Sequence, residues 1–369
     1  MRRRGLNTVA VEGFYRRGLL NKFLDSKEPD SPLEKTAGFR FGRHFAGIFF
    51  DANKLELSRW NYSIPSPSLA PGSTSMDRVE SILKERAESL GVTILRSIGV
   101  ASIVAQDDNS VTVETANHDT FRGRTFCFLR HPNPIERSDH LPVGRILLAG
   151  DTAHIHPPLG AQGLNCGLAD AMNIGWKVAS TIRQEHGLEG AKPDLTLLDT
   201  YHNKRHPAGE GVLEFSRAQV AILQPAPLGA ASQQLIRDLI ATTDGTNILI
   251  DRFWGLSLRY KPGNAEAHAH PLVGSSAPDF ELVGGSRLGS KFSGGRGFFI
   301  DFEENTKLEE LVTGLRYEAR VDYIAINAKD TRGLHALLVR PDGFVAWMAE
   351  GNDLDLETAK VALEQWFSF

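Results

Sequence analysis

RILLAGDTAHIHPPLGAQGLNCGLADAMNIGWKVA, residues 145–179, decides how the rest of the chain is read. It runs from an apolar strand, Arg145 to Ala149, into a tight Gly150-Asp151 turn. A loop through Pro157, Pro158 and Gly160 follows, then a helix starting near Leu164-Asn165. A carboxylate at a strand end can accept hydrogen bonds from hydroxyl groups, and Gly160 and Gly163 let backbone approach a ligand closely. The helix N-terminus adds unpaired N–H groups and the positive end of a dipole, which favour a partly negative ligand atom. Asp151 is therefore the candidate binding carboxylate. Pro158, Gly160, Gly163, Leu164 and Asn165 are the candidates for the loop and backbone around the ligand. Leu164, Leu168, Ala171, Gly175 and Val178 share one helical face, which is read as the packing face. An isolated Gly-Asp pair would merely turn the chain; the ordered string favours a ligand site. The partner motif of such a site, Gly-x-Gly-x-x-Gly, occurs nowhere in the 369 residues.

His154 and His156 form a His-x-His pair. On a strand the two would share a face and could hold a metal, but no third ligand stands out. They are read as packing and hydrogen-bonding residues of the loop, and no metal is expected.

Bulk properties narrow the class. A chain of this length can bury a large core and divide into two domains. The net charge of -4 gives no basic footprint, so nucleic acid is not an expected partner. No apolar run reaches the length of a membrane span. The start, Met1-Arg-Arg-Arg-Gly-Leu-Asn, has positive charge with no apolar stretch behind it and does not read as a secretory signal. Two cysteines, Cys127 and Cys166, cannot build a disulfide framework or a metal cluster. A reduced, cytoplasmic protein is expected.

Periodicity sets out the elements. Leu6 to Phe23 suits a helix with a weak point at Gly18, His44 to Asp51 a strand, and Asp77 to Gly91 a helix. Val100–Ala105 and Val111–Thr115 read as a hairpin, Phe121–Leu129 as a further strand, and His131–Pro142 as a loop. Leu195–Lys204 and Ala208–Gln224 read as separate helices on either side of Arg205-His-Pro, because Pro207 disfavours helix in the residue before it. Leu235–Ile250 reads as one helix. The polar stretch Lys261–Pro271 suggests a domain boundary. Beyond it, strands at 298–302, 323–327, 336–339 and 344–348 and a closing helix at 356–367 suggest a compact α/β module.

The string at 145–179 resembles the second FAD-binding motif of the class A flavoprotein monooxygenases, the para-hydroxybenzoate hydroxylase-like aromatic hydroxylases. It is most similar to the branch acting on phenols and polyketides. Other matches follow in order. Arg3-x-Gly-Leu-Asn with Glu12, Phe14 and Arg17-Gly-Leu-Leu resembles the segment after the second strand of the family's FAD domain. His44-Phe-Ala-Gly and Glu80 to Gly91 resemble the next strand and helix, and Val100–Arg124 the β-meander. Tyr201, Arg205-His-Pro and Ala218-Gln219 resemble the helices after the motif. His270-Pro-Leu, Ala277-Pro-Asp and Leu338 to Trp347 are similar to the thioredoxin-like C-terminal domain.

The resemblance implies an α/β fold: an incomplete FAD/NAD(P)-binding Rossmann-like domain with a β-meander, then helices and a thioredoxin-like domain. The expected boundaries are 1–215 for the partial FAD-binding domain, 216–264 for a helical connector and 265–369 for the thioredoxin-like domain. It also implies that Asp151 binds the flavin ribityl chain, that backbone near Leu164 and Asn165 meets the flavin ring, and that Arg3 contacts the FAD diphosphate. The implied chemistry is reduction of FAD by NAD(P)H, capture of O2 as a flavin hydroperoxide, and hydroxylation of an aromatic small molecule. The flavin carries that reactivity, so no side-chain nucleophile is expected.

The chain departs from the family pattern. It starts after the Gly-x-Gly-x-x-Gly unit. It lacks the Asp-Gly motif after the meander, and Phe126-Cys-Phe-Leu-Arg130 runs almost directly into the Gly-Asp region, where a substrate-covering sheet is expected. A Gln that contacts the cofactor in relatives aligns with Met76. A catalytically incompetent remnant acting at most as a binding or scaffold protein is the alternative reading. An uncovered sheet edge would favour association or poor solubility. The C-terminal module has no Cys-x-x-Cys, so it is expected to be structural or to support a homodimer rather than to do dithiol chemistry.

Overall fold

The computed structural model describes residues 3–23, 40–64, 66–67, 69, 72–128, 144–157, 159–186, 194–261, 270–314, 320–351 and 354–368. The expected loop at 131–142, most of the expected boundary at 261–271, Pro158 and the Arg3 side chain lie outside the described residues.

In chain order, β1 (Arg3–Leu6) leads to α1 (Thr8–Arg16) and the single turn α2 (Leu20–Phe23). Next come β2 (Arg40–Phe45), β3 (Ile48–Asp51), β4 (Gly72–Ser75) and α3 (Met76–Ser89). The meander strands are β5 (Val100–Gln106), β6 (Val111–Thr115) and β7 (Thr120–Gly123), followed by β8 (Phe126–Phe128) and β9 (Ile146–Leu148). Four helices succeed them: α4 (Gln162–His186), α5 (Thr196–Ile222), α6 (Leu228–Ile240) and α7 (Thr243–Trp254). The chain ends in β10 (Gly297–Asp301), α8 (Thr306–Gly314), β11 (Val321–Ala325), β12 (Leu334–Val339), β13 (Val345–Glu350) and α9 (Leu356–Phe367).

Two compact units result, one built on residues 74–217 with residues 1–4 and 369, the other on residues 5–73 together with 218–368. In the first, β5, β6 and β7 form the expected antiparallel meander, and β8 pairs β9 in parallel. Val111 and Val113 of β6 are buried. Val100, Ile103 and Val104 of β5 are exposed, an apolar strand surface of the kind that invites association. In the second unit, β10 lies between parallel β11 and antiparallel β12, and β13 pairs β12. With α8 and α9 this is the expected thioredoxin-like order. Its core gathers Phe280, Phe292, Phe298, Ile300, Leu337 and Val345.

Four expectations need correction. The helix expected over 6–23 is cut: α1, capped by Asn7 Oδ1 accepting from the Ala10 N–H at 3.0 Å, ends at Arg16, and the chain reverses at Gly18. The strand expected over 44–51 is instead a hairpin. Ala46 and Gly47 take φ of 47° and 85°, the two positive values a tight hairpin turn requires. Arg205-His-Pro does not break the helix; α5 runs through Pro207. Leu197, Leu198, Tyr201 and Arg205 are all buried on its N-terminal half, and that packing outweighs the one backbone bond the proline removes. Leu235–Ile250 is divided between α6 and α7, because the Thr242 hydroxyl caps a new helix by accepting from the Gly245 N–H at 3.0 Å.

The sequence groups residues 5–73 with an FAD-binding domain spanning 1–215; in the structure they pack instead with the C-terminal segment. Arg16, 4% exposed, is the reason. Its guanidinium donates to the carbonyls of Gly343 (3.1 Å) and Ala277 (2.8 Å) and to the Ser276 hydroxyl (2.9 Å). Glu12, one turn earlier, accepts from Ser276, and burial raises its pKa in spite of Arg16 nearby. Arg17 donates to the carbonyls of Phe292 and Pro341. Replacing Arg16 by Met would leave two buried carbonyls without donors, at about 2–4 kcal/mol. The expected outcome is a lower urea midpoint for Arg16→Met in a fluorescence titration; an unchanged midpoint would show that the clamp contributes nothing.

Candidate functional site

The first unit places the string 145–179 in three dimensions. Arg145, 1% exposed, donates through Nε to the Asp108 carbonyl (2.6 Å), through Nη1 to the Arg124 carbonyl (3.0 Å) and through Nη2 to Glu185 near the end of α4. One buried cation thus ties the meander to α4. The strand it precedes, β9, is fixed by Leu147 and Ala149, which pack with Ile174, Leu198 and Tyr201. The Tyr201 hydroxyl donates to the Leu148 carbonyl at 2.8 Å. The chain therefore leaves β9 from a defined point.

Gly150, with φ of 61°, opens a short 3-10 turn over Gly150–Thr152, and the N–H groups of Ala153 and His154 close on its carbonyl. Asp151 is thrown outward. Its side chain is exposed, and no hydrogen bond or ion pair engages it among the described residues. Two buried polar atoms of the same string, Thr152 Oγ1 and Gln162 Nε2, have no hydrogen-bond partner there either. The loop re-enters through a second 3-10 turn, Leu159–Ala161, in which Gly160 has φ of 71°. The first turn of α4 then comprises Gln162, Gly163, Leu164 and Asn165, two residues earlier than the sequence suggests. Asn165 is buried and Leu164 half-buried. Gly163 is small for a local reason: a Cβ there would stand 3.1 Å from His156 Nε2.

Beneath the turn lies a charged cluster that the sequence reading missed. Asp170 Oδ2 accepts from the Gly150 N–H at 2.9 Å and from His154 Nε2 at 2.7 Å. Its Oδ1 accepts from Arg205 Nε on α5 at 2.6 Å. Arg205 Nη2 also donates to the Cys166 carbonyl and Sγ. Asp170, His154, Arg205 and Cys166 are all buried. Burial works against charge on Asp170, but His154, Arg205 and the Gly150 N–H together hold its carboxyl below the usual carboxylate range. Burial likewise opposes charge on His154, yet Asp170 and the nearby Cys166 sulfur outweigh it and push its pKa up to about 10.

The two histidines thus diverge. His154 points inward to Asp170, while His156 Nδ1 donates to the Pro157 carbonyl at 2.9 Å. Ligand-type atoms of His154, Cys166 and Asp170 do lie within 4.8 Å of one another. Arg205 already hydrogen-bonds two of the three, so a permanent cation stands where a metal would.

The packing face of α4 also differs from the expected one. Ala171 and Gly175 are exposed and Leu164, Leu168 and Val178 are half-buried, whereas Gln162, Asn165, Cys166, Asp170, Asn173 and Lys177 are buried. A hydrophobicity pattern cannot find a face held by polar groups. The available signal was Cys166, Asp170, Asn173 and Lys177 recurring at spacings of three and four in a helix otherwise rich in small residues.

Comparison with known proteins identifies the family. Residues 135–216 match a family model described as an FAD binding domain, and residues 270–368 one described as aromatic-ring hydroxylase, C-terminal. A protein of Claviceps purpurea (strain 20.1) named "Monoogygenase" is 35% identical over 459 aligned residues, spanning 98% of this chain and 88% of that protein. The 12-dehydrotetracycline 5-monooxygenase/anhydrotetracycline 6-monooxygenase of Streptomyces rimosus subsp. rimosus is 32% identical over 275 residues, 72% of this chain and 52% of that protein. The chain spans about half the length of several such bacterial relatives. Among solved structures, OxyS anhydrotetracycline hydroxylase from Streptomyces rimosus superposes with a TM-score of 0.80 at 23% identity, covering 99% of this chain and 91% of that one, which establishes the likeness of fold. The chain belongs to the FAD-dependent aromatic-ring monooxygenase family. Among the described residues, no helix is long and apolar enough to cross a membrane.

The His154 shift has a pH consequence. Its folded pKa lies above the ordinary histidine value near 6.5, so its contribution is fully present below about pH 6.5 and is lost as pH rises through about 10. The urea midpoint of the wild-type chain should fall between about pH 7 and pH 10 more steeply than that of His154→Gln. Parallel pH profiles would refute the ion pair.

Proposed function

We propose that the chain binds FAD and hydroxylates an aromatic small molecule, phenolic or polyketide-like, using O2 and NAD(P)H. The observation that carries the reading is the unengaged Asp151 carboxylate at the end of β9, with unpartnered polar atoms on Thr152 and Gln162 and the first turn of α4 following it. These are acceptors and donors suited to a polyhydroxylated chain attached to a ring with polar edges. Asp151 accepts from the ribityl hydroxyls. The backbone of Leu164 and Asn165 meets the polar edge of the flavin ring, where the positive helix end favours negative charge. Pro158, Gly160 and Gly163 shape the loop between them, and Arg3 contacts the diphosphate. FAD, when bound, supplies the redox and oxygen chemistry, while the protein binds, orients and excludes water.

The names of the relatives support an aromatic or polyketide substrate, since two of them are monooxygenases of rifampicin and of anhydrotetracycline. The substrate-covering sheet is the block that the sequence lacks in this reading. The 459 aligned positions with the Claviceps protein exceed the 369 residues present, so that relative carries segments this chain does not. The chain crosses from β8 to β9 through residues 129–145 alone. The setting is cytoplasmic, and the thioredoxin-like module supports a homodimer.

The test is a visible absorption spectrum after incubation with FAD and desalting. Wild type retains the flavin bands, and Asp151→Ala weakens retention by about tenfold or more, the scale of a lost charge-assisted hydrogen bond. Because Asp151 is exposed and unengaged, thermal stability of the ligand-free chain should not change with that substitution. A flat wild-type spectrum would overturn the reading. NAD(P)H oxidation that a phenol fails to stimulate, in a chain that does hold FAD, would reduce it to a flavin-binding remnant.

A further inference from the structure

Among the described residues Asp151 has no partner to hold it, yet the turn that presents it is fixed on both sides. On the N-terminal side, the backbone N–H of Gly150 donates to Asp170 Oδ2 at 2.9 Å. On the C-terminal side, His154 Nε2 reaches the same oxygen at 2.7 Å. The other oxygen of that carboxylate is held by Arg205 of α5 at 2.6 Å. Asp170 belongs to α4, whose first turn forms the opposite side of the candidate cradle. One carboxylate thus spans both sides, and the separation between Asp151 and the start of α4 depends on it.

The turn and its histidine lie directly against the two helices: a Cβ at Gly167 would stand in van der Waals contact with Gly150 Cα at 3.4 Å, and one at Gly209 of α5 in contact with the His154 ring at 3.4 Å. An ordinary core ion pair would join side chain to side chain; here the carboxylate also takes a backbone N–H one residue from the exposed carboxylate.

We propose that Asp170 is the positioning residue of the Asp151 turn: its buried carboxylate, shared by Gly150, His154 and Arg205, sets where the Asp151 side chain stands relative to α4, and through that the grip on FAD. The inference rests on the reading of Asp151 as a flavin-binding carboxylate. It adds a residue that touches no cofactor and acts by holding the one that does. Misplacing a binding group by an ångström is enough to cost much of its effect.

The test begins with the ligand-free chain, so that it does not depend on FAD. Amide hydrogen exchange followed by mass spectrometry compares the peptide covering 150–154 with one covering β6. In Asp170→Asn, exchange over 150–154 should rise by about tenfold or more while β6 stays protected, the pattern of a local opening. Unchanged exchange at 150–154, or an equal rise in both peptides, would overturn the proposal. A second pair of variants applies even where Asp170→Asn fails to fold. His154→Gln, which keeps an N–H donor, should retain protection; His154→Leu, which has none, should lose it. Equal behaviour of the two would refute the tether. FAD titration then reads the consequence: a dissociation constant raised by about tenfold or more in His154→Leu, with His154→Gln near wild type. Failure of wild type to bind FAD would sink the functional reading and leave the exchange result to decide the tether by itself.

Discussion

Taking a carboxylate out of water costs several kcal/mol, and a fold that does so has to surround it with donors. Asp170, 1% exposed, is the group around which the first unit is arranged. Its neighbours come from three places: the turn after β9, the loop histidine and the middle of α5. Removing any one leaves charge uncompensated, so the three elements are held to one geometry. Arg145 and Glu185 repeat the device near the far end of α4, again with both partners buried. A helix fastened by charge near both ends has no need of a continuous apolar stripe, which is why Leu164 and Leu168 are only half-buried while Asn165 and Asn173 lie inside.

This explains what the sequence did and did not disclose. The Gly150-Asp151 turn, the meander and the C-terminal α/β order were legible because each rests on a local rule: turn chemistry, period-two alternation, a strand followed by a helix. The candidate carboxylate could be picked out because it stands alone at a strand end. Asp170 and Arg205 could not, since their meaning comes from residues 16 and 35 positions away. Arg205 even carried the opposite meaning, as a member of an expected helix break at Pro207. Two errors had a readable local signal. Ala46-Gly47 is a hairpin turn inside an apolar run, and Thr242, followed by Asp244, is a helix cap inside a helical pattern.

The C-terminal part of the second unit is also anchored by buried polar groups. At the end of β10 the chain carries Asp301, fully buried, whose carboxylate accepts from the N–H groups of Glu303 and Asn305 and from the Tyr323 hydroxyl. That arrangement orders the connection into α8 with a carboxylate and a phenol. Arg340, paired with Asp342 and stacked over the Trp366 ring with its carbon 4.6 Å from the ring centre, fastens α9 in a similar way. The module combines polar anchors with a core rich in aromatic residues.

The Arg16 clamp bears on the order in which the molecule can be made. The groups that receive its guanidinium, Ser276, Ala277 and Gly343, are synthesised more than two hundred and fifty residues after it. On the ribosome, α1 therefore emerges without its acceptors and stays unsatisfied while the intervening unit, residues 74–217, is completed. Those residues form one unbroken stretch that can fold during translation, whereas the contacts of α1 form only when the last strands have been released. The turn with Asp151 and the helix with Asp170 are complete before the residues that hold α1 have been made.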